Sequence, residues 1–177
     1  ELTQTLYAVY ATATGVETKY IKLTTTPSPS FAGTYLIVNE ENQVAFNSGL
    51  ETLDAVGNTI SVEINDATIE TSTAVENATF DIWKNQSADN YFITSKSGKY
   101  IGRETDANEL DESTETEYTN TISIDDANGN ANIIGSGGAY LRYNATSGQE
   151  RFRYYKSSTY ADQKAIALYK KYSIPLY

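Results

Sequence analysis

The chain of 177 residues has no cysteine, no histidine and no methionine, and only three prolines. Without cysteine it can form neither a disulfide nor a thiolate metal site. Without histidine it lacks the commonest metal ligand and the one ordinary proton shuttle near neutrality, so most nucleophilic triads and zinc centres are excluded. Positive charge is scarce as well: 13 Lys and Arg stand against 23 Asp and Glu, a formal net charge of −10. Nucleic acid and anionic lipid both reward basic surfaces, so neither is an expected partner. No apolar run approaches the roughly 18 residues of a membrane helix, so no membrane insertion is expected, and no basic segment followed by an apolar one opens the chain. The lack of methionine even at position 1 predicts a processed or excised fragment. Abundant Thr, Ser, Asn and Tyr with few Lys predict a secreted or cell-surface protein of bacterial type.

What is present is a threefold pattern. Asn90 to Arg103 reads NYFITSKSGKYIGR, in which Tyr91 to Thr94 and Lys99 to Arg103 flank the polar turn Ser95-Lys96-Ser97-Gly98, the mark of a β-hairpin. A shift of 40 residues carries Ile93 onto Ile133 and Tyr100 onto Tyr140, and a shift of 56 the other way carries them onto Ile37 and Val44. An apolar-x-apolar pair recurs as Phe80/Ile82, Ile122/Ile124 and Ile166/Leu168, at spacings of 42 and 44. Periods of this size predict repeated supersecondary units. Three modules of about four short strands, each with a hairpin and a closing strand, predict an all-β, β-trefoil-like fold: a six-stranded barrel capped by three hairpins. Its core would be Ile37, Ile93 and Ile133 with the three apolar pairs. An irregular β-sandwich is the alternative, and it accounts for the strands but not for the threefold register.

Residues 1–17 are read as the end of a preceding β-repeat module or a linker, because Leu6, Ala8 and Tyr10 alternate with Tyr7 and Val9 and leave both strand faces apolar. The segment TLYAVY resembles the closing strand of β-grasp repeats of the internalin type. Residues 18–172 form the trefoil-like domain and 173–177 a tail. An extra hairpin, Ile60 to Ile64 against Thr68 to Glu70 across Asn65-Asp66, would lengthen the first module. In the second, ETDANELDESTETEYT crowds Glu104, Asp106, Glu109, Asp111, Glu112, Glu115 and Glu117 together and is expected to be a solvated loop. No segment keeps a helical period, and the repeat register assigns Ile166 and Leu168 to a strand.

Acid–base catalysis by paired carboxylates needs two carboxyl groups held in a cleft, one with a raised pKa. Here the carboxylates sit in turns or in the acidic loop, so no catalytic residue is assigned and no enzyme is expected. Asp54 and Asp111 follow Leu53 and Leu110 and are read as loop anchors with the leucine inward. DDANGNAN, from Asp125 to Asn132, alternates oxygen donors but lacks the distal Glu of a full calcium loop, and Asn128-Gly129 already serves as a turn. No metal or cofactor is assigned.

The aromatic residues say more. Fifteen Tyr and one Trp against five Phe bring polar tips, suited to half-buried strands or to surfaces that stack on sugars. Along RFRYYK the period of two sets Phe152 and Tyr154 on a core face and Arg151, Arg153 and Tyr155 on the other. With Arg142, Tyr143 and Asn144 of the adjacent hairpin, and Tyr160, they concentrate Arg and Tyr in an acidic chain. Such a face could bind glycan hydroxyls or acidic sugars, or its arginines could pair with the acidic loop while its tyrosines cover strands. Trp83 follows the inward Ile82 and should point outward, either as a stacking platform or packed beneath the first-module insertion. The candidate ligand-binding set is Trp83, Arg142, Tyr143, Asn144, Arg151, Arg153 and Tyr155.

The segments KYIKLTTTPSPSFAGTYLIVNE, VAFN, LDAVGNTISV, SGKYIGR, YTNTISID, GGAYLRYN and RFRYYKSSTYADQKAIALYKK, in this order over residues 18–172, resemble a β-rich accessory module of large secreted or surface proteins of gut-dwelling bacteria. There the module follows β-grasp repeats or accompanies secreted nucleases and hydrolases. The resemblance implies an extracellular accessory module and carries no catalytic residues with it. The expected function is non-catalytic recognition of a glycan or cell-surface component within a larger secreted protein. The alternative is a structural or adhesive domain that contacts neighbouring domains. No QxW motif of ricin-like lectins is present.

Overall fold

β-Branched and aromatic runs with a period of two make nearly every regular element a strand. The computed structural model describes Thr12 and residues 14–177, so the strand expected over residues 1–12 falls, but for Thr12, outside the described residues. A leading strand β1 (Gly15–Lys22) is followed by the first module, β2 (Gly33–Asn39), β3 (Val44–Phe46) and β4 (Thr59–Ser61). An insertion, β5 (Thr68–Glu70) and the four-residue helix α1 (Thr73–Glu76), precedes its closing strand β6 (Phe80–Lys84). The second module is β7 (Tyr91–Ser95), β8 (Tyr100–Gly102), β9 (Asp111–Ser113) and β10 (Thr119–Ile124). The third is β11 (Ala131–Gly135), β12 (Tyr140–Asn144), β13 (Arg151–Tyr155), a 3₁₀ turn at Tyr160–Asp162 and β14 (Ala167–Leu176).

The described chain is all-β, and its strands pair antiparallel in one connected sheet. The pairing repeats. The first strand of each module joins a hairpin, as β2–β3–β4, β7–β8–β9 and β11–β12–β13. The closing strands link the modules: β6 lies between β2 and β7, and β10 between β7 and β11. β14 pairs with β2, and a single bridge, Ala131 to Ile166, ties the start of β11 to the residue preceding β14. The turn of the first copy is one residue longer than its counterparts. Thr94 faces Tyr100 and Ile134 faces Tyr140, but Val38 faces Ala45, so the shift of 56 that fits β2 does not carry over to β3.

The repeated positions are the core. Ile37, Phe80, Ile82, Ile93, Ile124, Ile133, Ile166 and Leu168 are buried in one cluster, with Ile122 packed against it only partly buried. The hairpins add Phe46, Leu53, Ile101, Leu110, Leu141 and Phe152. Phe46 stacks on Phe152 at 5.3 Å between ring centroids and tilts against Phe80 at 4.8 Å. Each such side chain, fully buried, contributes about 1.5–3 kcal/mol of transfer free energy. β2 is buried on both faces, Tyr35 to Val38 all at 0% exposure, because its other face meets a second cluster of Tyr20, Ile69, Val75, Ala167 and Tyr169.

That second cluster explains a correction. The expected hairpin of Ile60–Ile64 with Thr68–Glu70 does not form: Thr59–Ser61 pairs with β3, and β5 pairs with β1. Asp66 and Ala67, at φ 48° and 58°, close only a tight turn from Asn65 to Thr68. Ile69 faces Tyr20 across the β1–β5 ladder and is 2% exposed, in one cluster with Val62 and with Ile60 and Ile64 packed against it. The sequence reading also missed α1, whose start is capped by the Ser72 hydroxyl accepting the Val75 N–H at 3.2 Å.

The acidic segment is not simply solvated either. Leu110 is buried, Asp111–Ser113 is a strand, and several of the carboxylates dock on other elements. Asp111 binds Arg103 at 2.9 Å, Glu112 binds Lys99 at 2.9 Å, and Asp106 accepts the Ser157 N–H at 2.7 Å. Charge crowding keeps such a run in solvent only when it has no partners, and here Arg and Lys of neighbouring strands supply them. The β1–β14 ladder runs from Lys22–Tyr169 out to Gly15–Leu176, beyond the boundaries expected at 18 and 172. Among the described residues its outer part pairs with no third strand, and Val16, Tyr172, Ile174 and Leu176 are exposed.

Candidate functional site

The seven candidate residues fall in two places. Arg142, Tyr143, Asn144, Arg151, Arg153 and Tyr155 lie on the β12–β13 hairpin, where the register sets Tyr140 against Tyr155, Arg142 against Arg153 and Asn144 against Arg151. Trp83 lies on β6, which pairs with β2 and β7.

On the hairpin, burial divides the set. Tyr143 alternates with Arg142 and so faces the core with Leu141 and Phe152; it is 4% exposed and its ring tilts on Phe152 at 4.9 Å. Tyr155 shares the outward alternation but is only 5% exposed, so it offers a ligand no ring face. Burial pushes the pKa of both phenols up. Arg153 is engaged: its Nε and Nη2 donate to the two carboxylate oxygens of Asp54 at 2.7 and 2.8 Å. That hydrogen-bonded carboxylate is the first cause of its raised pKa, and the arginine pairs with the first-module loop rather than with the acidic segment. Asp54 Oδ2 also accepts the Leu110 N–H at 3.3 Å, so this clamp joins all three modules. The Leu-Asp pairs thus anchor loops, with Leu53 and Leu110 inward.

Arg142, Asn144 and Arg151 remain partly exposed. Arg151 Nη2 donates to Gln149 Oε1 at 2.9 Å, and Asn144 Oδ1 accepts the Thr146 N–H at 2.9 Å. Tyr140, a repeat position outside the candidate ligand-binding set, stacks on Tyr160 at 3.8 Å with an interplanar angle of 6°. The Arg142 guanidinium lies 4.8 Å from the centroid of the Tyr160 ring. Burial lowers the Arg142 pKa, yet a guanidinium stays cationic under any ordinary condition. Continuing the alternation of β12 one step back from Arg142 would have found Tyr140.

Trp83 is 56% exposed and does not pack beneath the insertion, which is drawn away by the pairing of β5 with β1. Its Nε1 donates to Thr94 Oγ1 at 3.0 Å, which pins the indole while leaving it largely open. Phe92 faces Trp83 across the β6–β7 ladder and meets Tyr100 edge-on at 6.3 Å, so an aromatic row continues over the outer surface. Beside Trp83, Ala32, Gly33, Thr34, Asp81 and Ile82 line a cavity of about 170 Å³. This is below the roughly 300–1,000 Å³ that encloses a drug-sized ligand, so a ligand would lie across it. Thr34 Oγ1 donates to Asp81 Oδ1 at 2.6 Å, while Asp81 Oδ2 has no protein donor among the described residues. Gly33 keeps the floor low: a Cβ there would sit 3.0 Å from Lys170 Cε. Asp81 stands two residues before Trp83 on a strand whose Ile82 is inward, and that spacing alone places both side chains on one face.

A second cavity, of about 260 Å³ between β4, β5 and α1, is lined by Val62, Glu63, Ile69, Glu70 and Val75 among others and has no aromatic side chain. At DDANGNAN, Asp125 accepts from the Ala127 N–H and from Asn128 Nδ2, and Asn128 Oδ1 from the Asn130 N–H, so these oxygens serve the turn. Among the described residues no cluster of acidic side chains could hold a metal ion.

No family model matches the chain, and no curated protein matches it. Among solved structures it is similar to one described as SeviL bound to asialo-GM1 saccharide, with a TM-score of 0.53 and 17% identity over 78% of this chain and 98% of that one. At that identity the likeness concerns the fold.

Proposed function

We propose that the chain is a β-trefoil-like, non-catalytic module that binds glycan at the Trp83 cleft, as an accessory part of a larger secreted or cell-surface protein of the gut-bacterial kind its sequence resembles. The observation that carries the reading is Trp83 itself, 56% exposed and pinned at its nitrogen beside a free carboxylate oxygen. A sugar ring presents C–H groups to an indole face and hydroxyls to its rim. Asp81 Oδ2 would accept from such hydroxyls, and the Phe92–Tyr100 row could carry a second residue of the glycan.

Support for the trefoil comes from three hairpins in one pattern, with first and closing strands linked in succession and β14 paired back to β2. Likeness in fold to a saccharide-bound protein agrees with it. A non-catalytic role fits a cleft with one lining carboxylate, since glycoside hydrolysis ordinarily needs two. The test is a glycan array followed by titration of the best ligand. Trp83→Ala should weaken binding by about tenfold, the worth of one aromatic contact, measured well below the thermal transition because the variant also loses the half-buried indole and its Thr94 hydrogen bond. Unchanged affinity in Trp83→Ala, or no binding across the array, would sink the reading.

A second reading, a structural or adhesive domain, draws on the exposed apolar residues of the β1–β14 ribbon, Val16 at 66% and Leu176 at 45%. A stable complex with a neighbouring domain of the same protein, together with a blank glycan array, would favour it.

A further inference from the structure

We propose that the outward face of the β12–β13 hairpin is a second subsite, for a saccharide that carries a carboxylate or sulfate group. Arg142 is its anion-binding side chain and the Tyr140–Tyr160 stack its wall. The inference rests on the glycan reading for the word saccharide; its anionic character rests on charge. Arg142, Arg151 and Arg153 share one strand face, and Arg142 lies directly opposite Arg153. Like charges directly opposite each other destabilise a ladder. Asp54 answers Arg153, but among the described residues neither Arg142 nor Arg151 has an ion-pair partner. The molecule does not lack carboxylates, having 23 acidic residues against 13 basic ones. Two unanswered guanidiniums on one face, set diagonally across the ladder, are therefore a local excess that an incoming anion would relieve.

The geometry is set in advance. The Arg142 Nε is buried without a hydrogen-bond partner and its guanidinium rests over Tyr160, so the side chain is held before any ligand arrives. Its Nη1 and Nη2 make no hydrogen bond or ion pair among the described residues, which leaves the fork for the planar, bidentate recognition of carboxylate or sulfate that arginine favours. Asn144 Oδ1 accepts the Thr146 N–H and its side chain is turned toward the Tyr155 hydroxyl, so Asn144 belongs to the floor of this face. A phosphate backbone is disfavoured because the net charge of −10 repels a polyanion. A small saccharide bearing one charge is not so penalised.

The test is a series of ¹⁵N–¹H spectra at low salt on the wild type and on Trp83→Ala, Arg142→Gln and Arg142→Lys, titrated with 3′-sialyllactose, lactose 6′-sulfate, lactose and sodium sulfate. At least one acidic sugar should shift amides of β12, β13 and Tyr160 in both the wild type and Trp83→Ala, and which one responds tells carboxylate from sulfate. Arg142→Gln should weaken that response by about tenfold or more, the loss expected for hydrogen bonds to a charged group. Arg142→Lys should restore part of it, and lactose should leave this face unshifted. Matching spectral dispersion in Arg142→Gln shows that the variant is folded. The proposal is overturned if neither acidic sugar shifts these amides, if Arg142→Gln responds like the wild type, or if sodium sulfate shifts them at the same concentration as the sugars. Shifts confined to β6 and β7 would overturn this proposal and leave the Trp83 reading standing. A hairpin response with no response at β6 and β7 would do the reverse.

Discussion

Removing the Asp54–Arg153 clamp should destabilise the domain without touching binding at the Trp83 cleft. The pair is bidentate, at 2.7 and 2.8 Å, and its side chains are 22% exposed for Arg153 and 13% for Asp54. Surface ion pairs contribute about 0–1 kcal/mol, whereas breaking a fully buried pair costs about 3–5 kcal/mol because one charge is left unanswered. A partly buried, bidentate pair falls between, and about 2 kcal/mol is expected for Arg153→Gln or Asp54→Asn alone. The double variant should cost little more than either single one, giving a coupling energy of about 1.5 kcal/mol. In thermal unfolding each single variant should lower the midpoint by roughly 4–8 °C, given about 2–4 °C per kcal/mol for a domain of this size. Urea titration supplies the free energies for the cycle. Glycan affinity at the Trp83 cleft, measured well below the transition, should be unchanged. Additive single costs, with a coupling below about 0.5 kcal/mol, would refute the clamp as an energetic unit. A selective loss of glycan binding in Arg153→Gln at unchanged stability would return Arg153 to the ligand-binding set.

Two further outcomes follow from polar groups whose partners the fold supplies. Burial works to raise the Glu76 pKa, but hydrogen bonds from Lys171, Tyr20 and Thr71 outweigh it and hold the carboxyl at about 2, against an ordinary 4.5. A depressed carboxylate contributes its full stability above its unfolded pKa and loses it as pH falls through the folded value, so the window is pH 4.5 down to 2. The full shift corresponds to about 3 kcal/mol. With the side chain 34% exposed, solvent screening reduces this to about 1.5 kcal/mol. Glu76→Gln should therefore be destabilised at pH 7 and match the wild type near pH 2 in urea unfolding; an equal deficit at both pH values would contradict this account. Asn58 is 0% exposed, donates to the carbonyls of Leu53 and Phe152 at 2.7 and 2.9 Å and accepts the Phe152 N–H at 2.8 Å. Asn58→Ala leaves those groups unpaired in a dry setting and should cost about 3 kcal/mol in the same assay; a cost under about 1 kcal/mol would mean that water enters the site.

The candidate site was half legible. The outward placement of Trp83 followed from the inward Ile82, and the hairpin carrying Arg142 and Arg151 followed from the repeat. Tyr143 was misplaced because its sequence neighbours were read as a patch, although the period of two sends adjacent side chains to opposite faces. Tyr155 stands on the outward alternation, and nothing local could report that it is covered. Arg153 was legible as a charge on the right face; its partner, 99 residues earlier in the chain, was not.

Sequence alone determined the three hairpins, their closing strands and most of the first core cluster, but not the β1–β5 pairing or the second cluster around Tyr20. Hairpin signals and a two-residue period act over a few residues, and burying Ile37, Ile93, Ile133 and the apolar pairs leaves little freedom in which face turns inward. Only the tertiary structure decided which polar and aromatic side chains stay free. Trp83 is open because β5 pairs with β1 rather than folding back over β6, and Arg142 is unanswered while Arg153 is held by Asp54. Those outcomes depend on contacts between residues remote in sequence, and local periodicity tells which way a side chain points but not what it meets there.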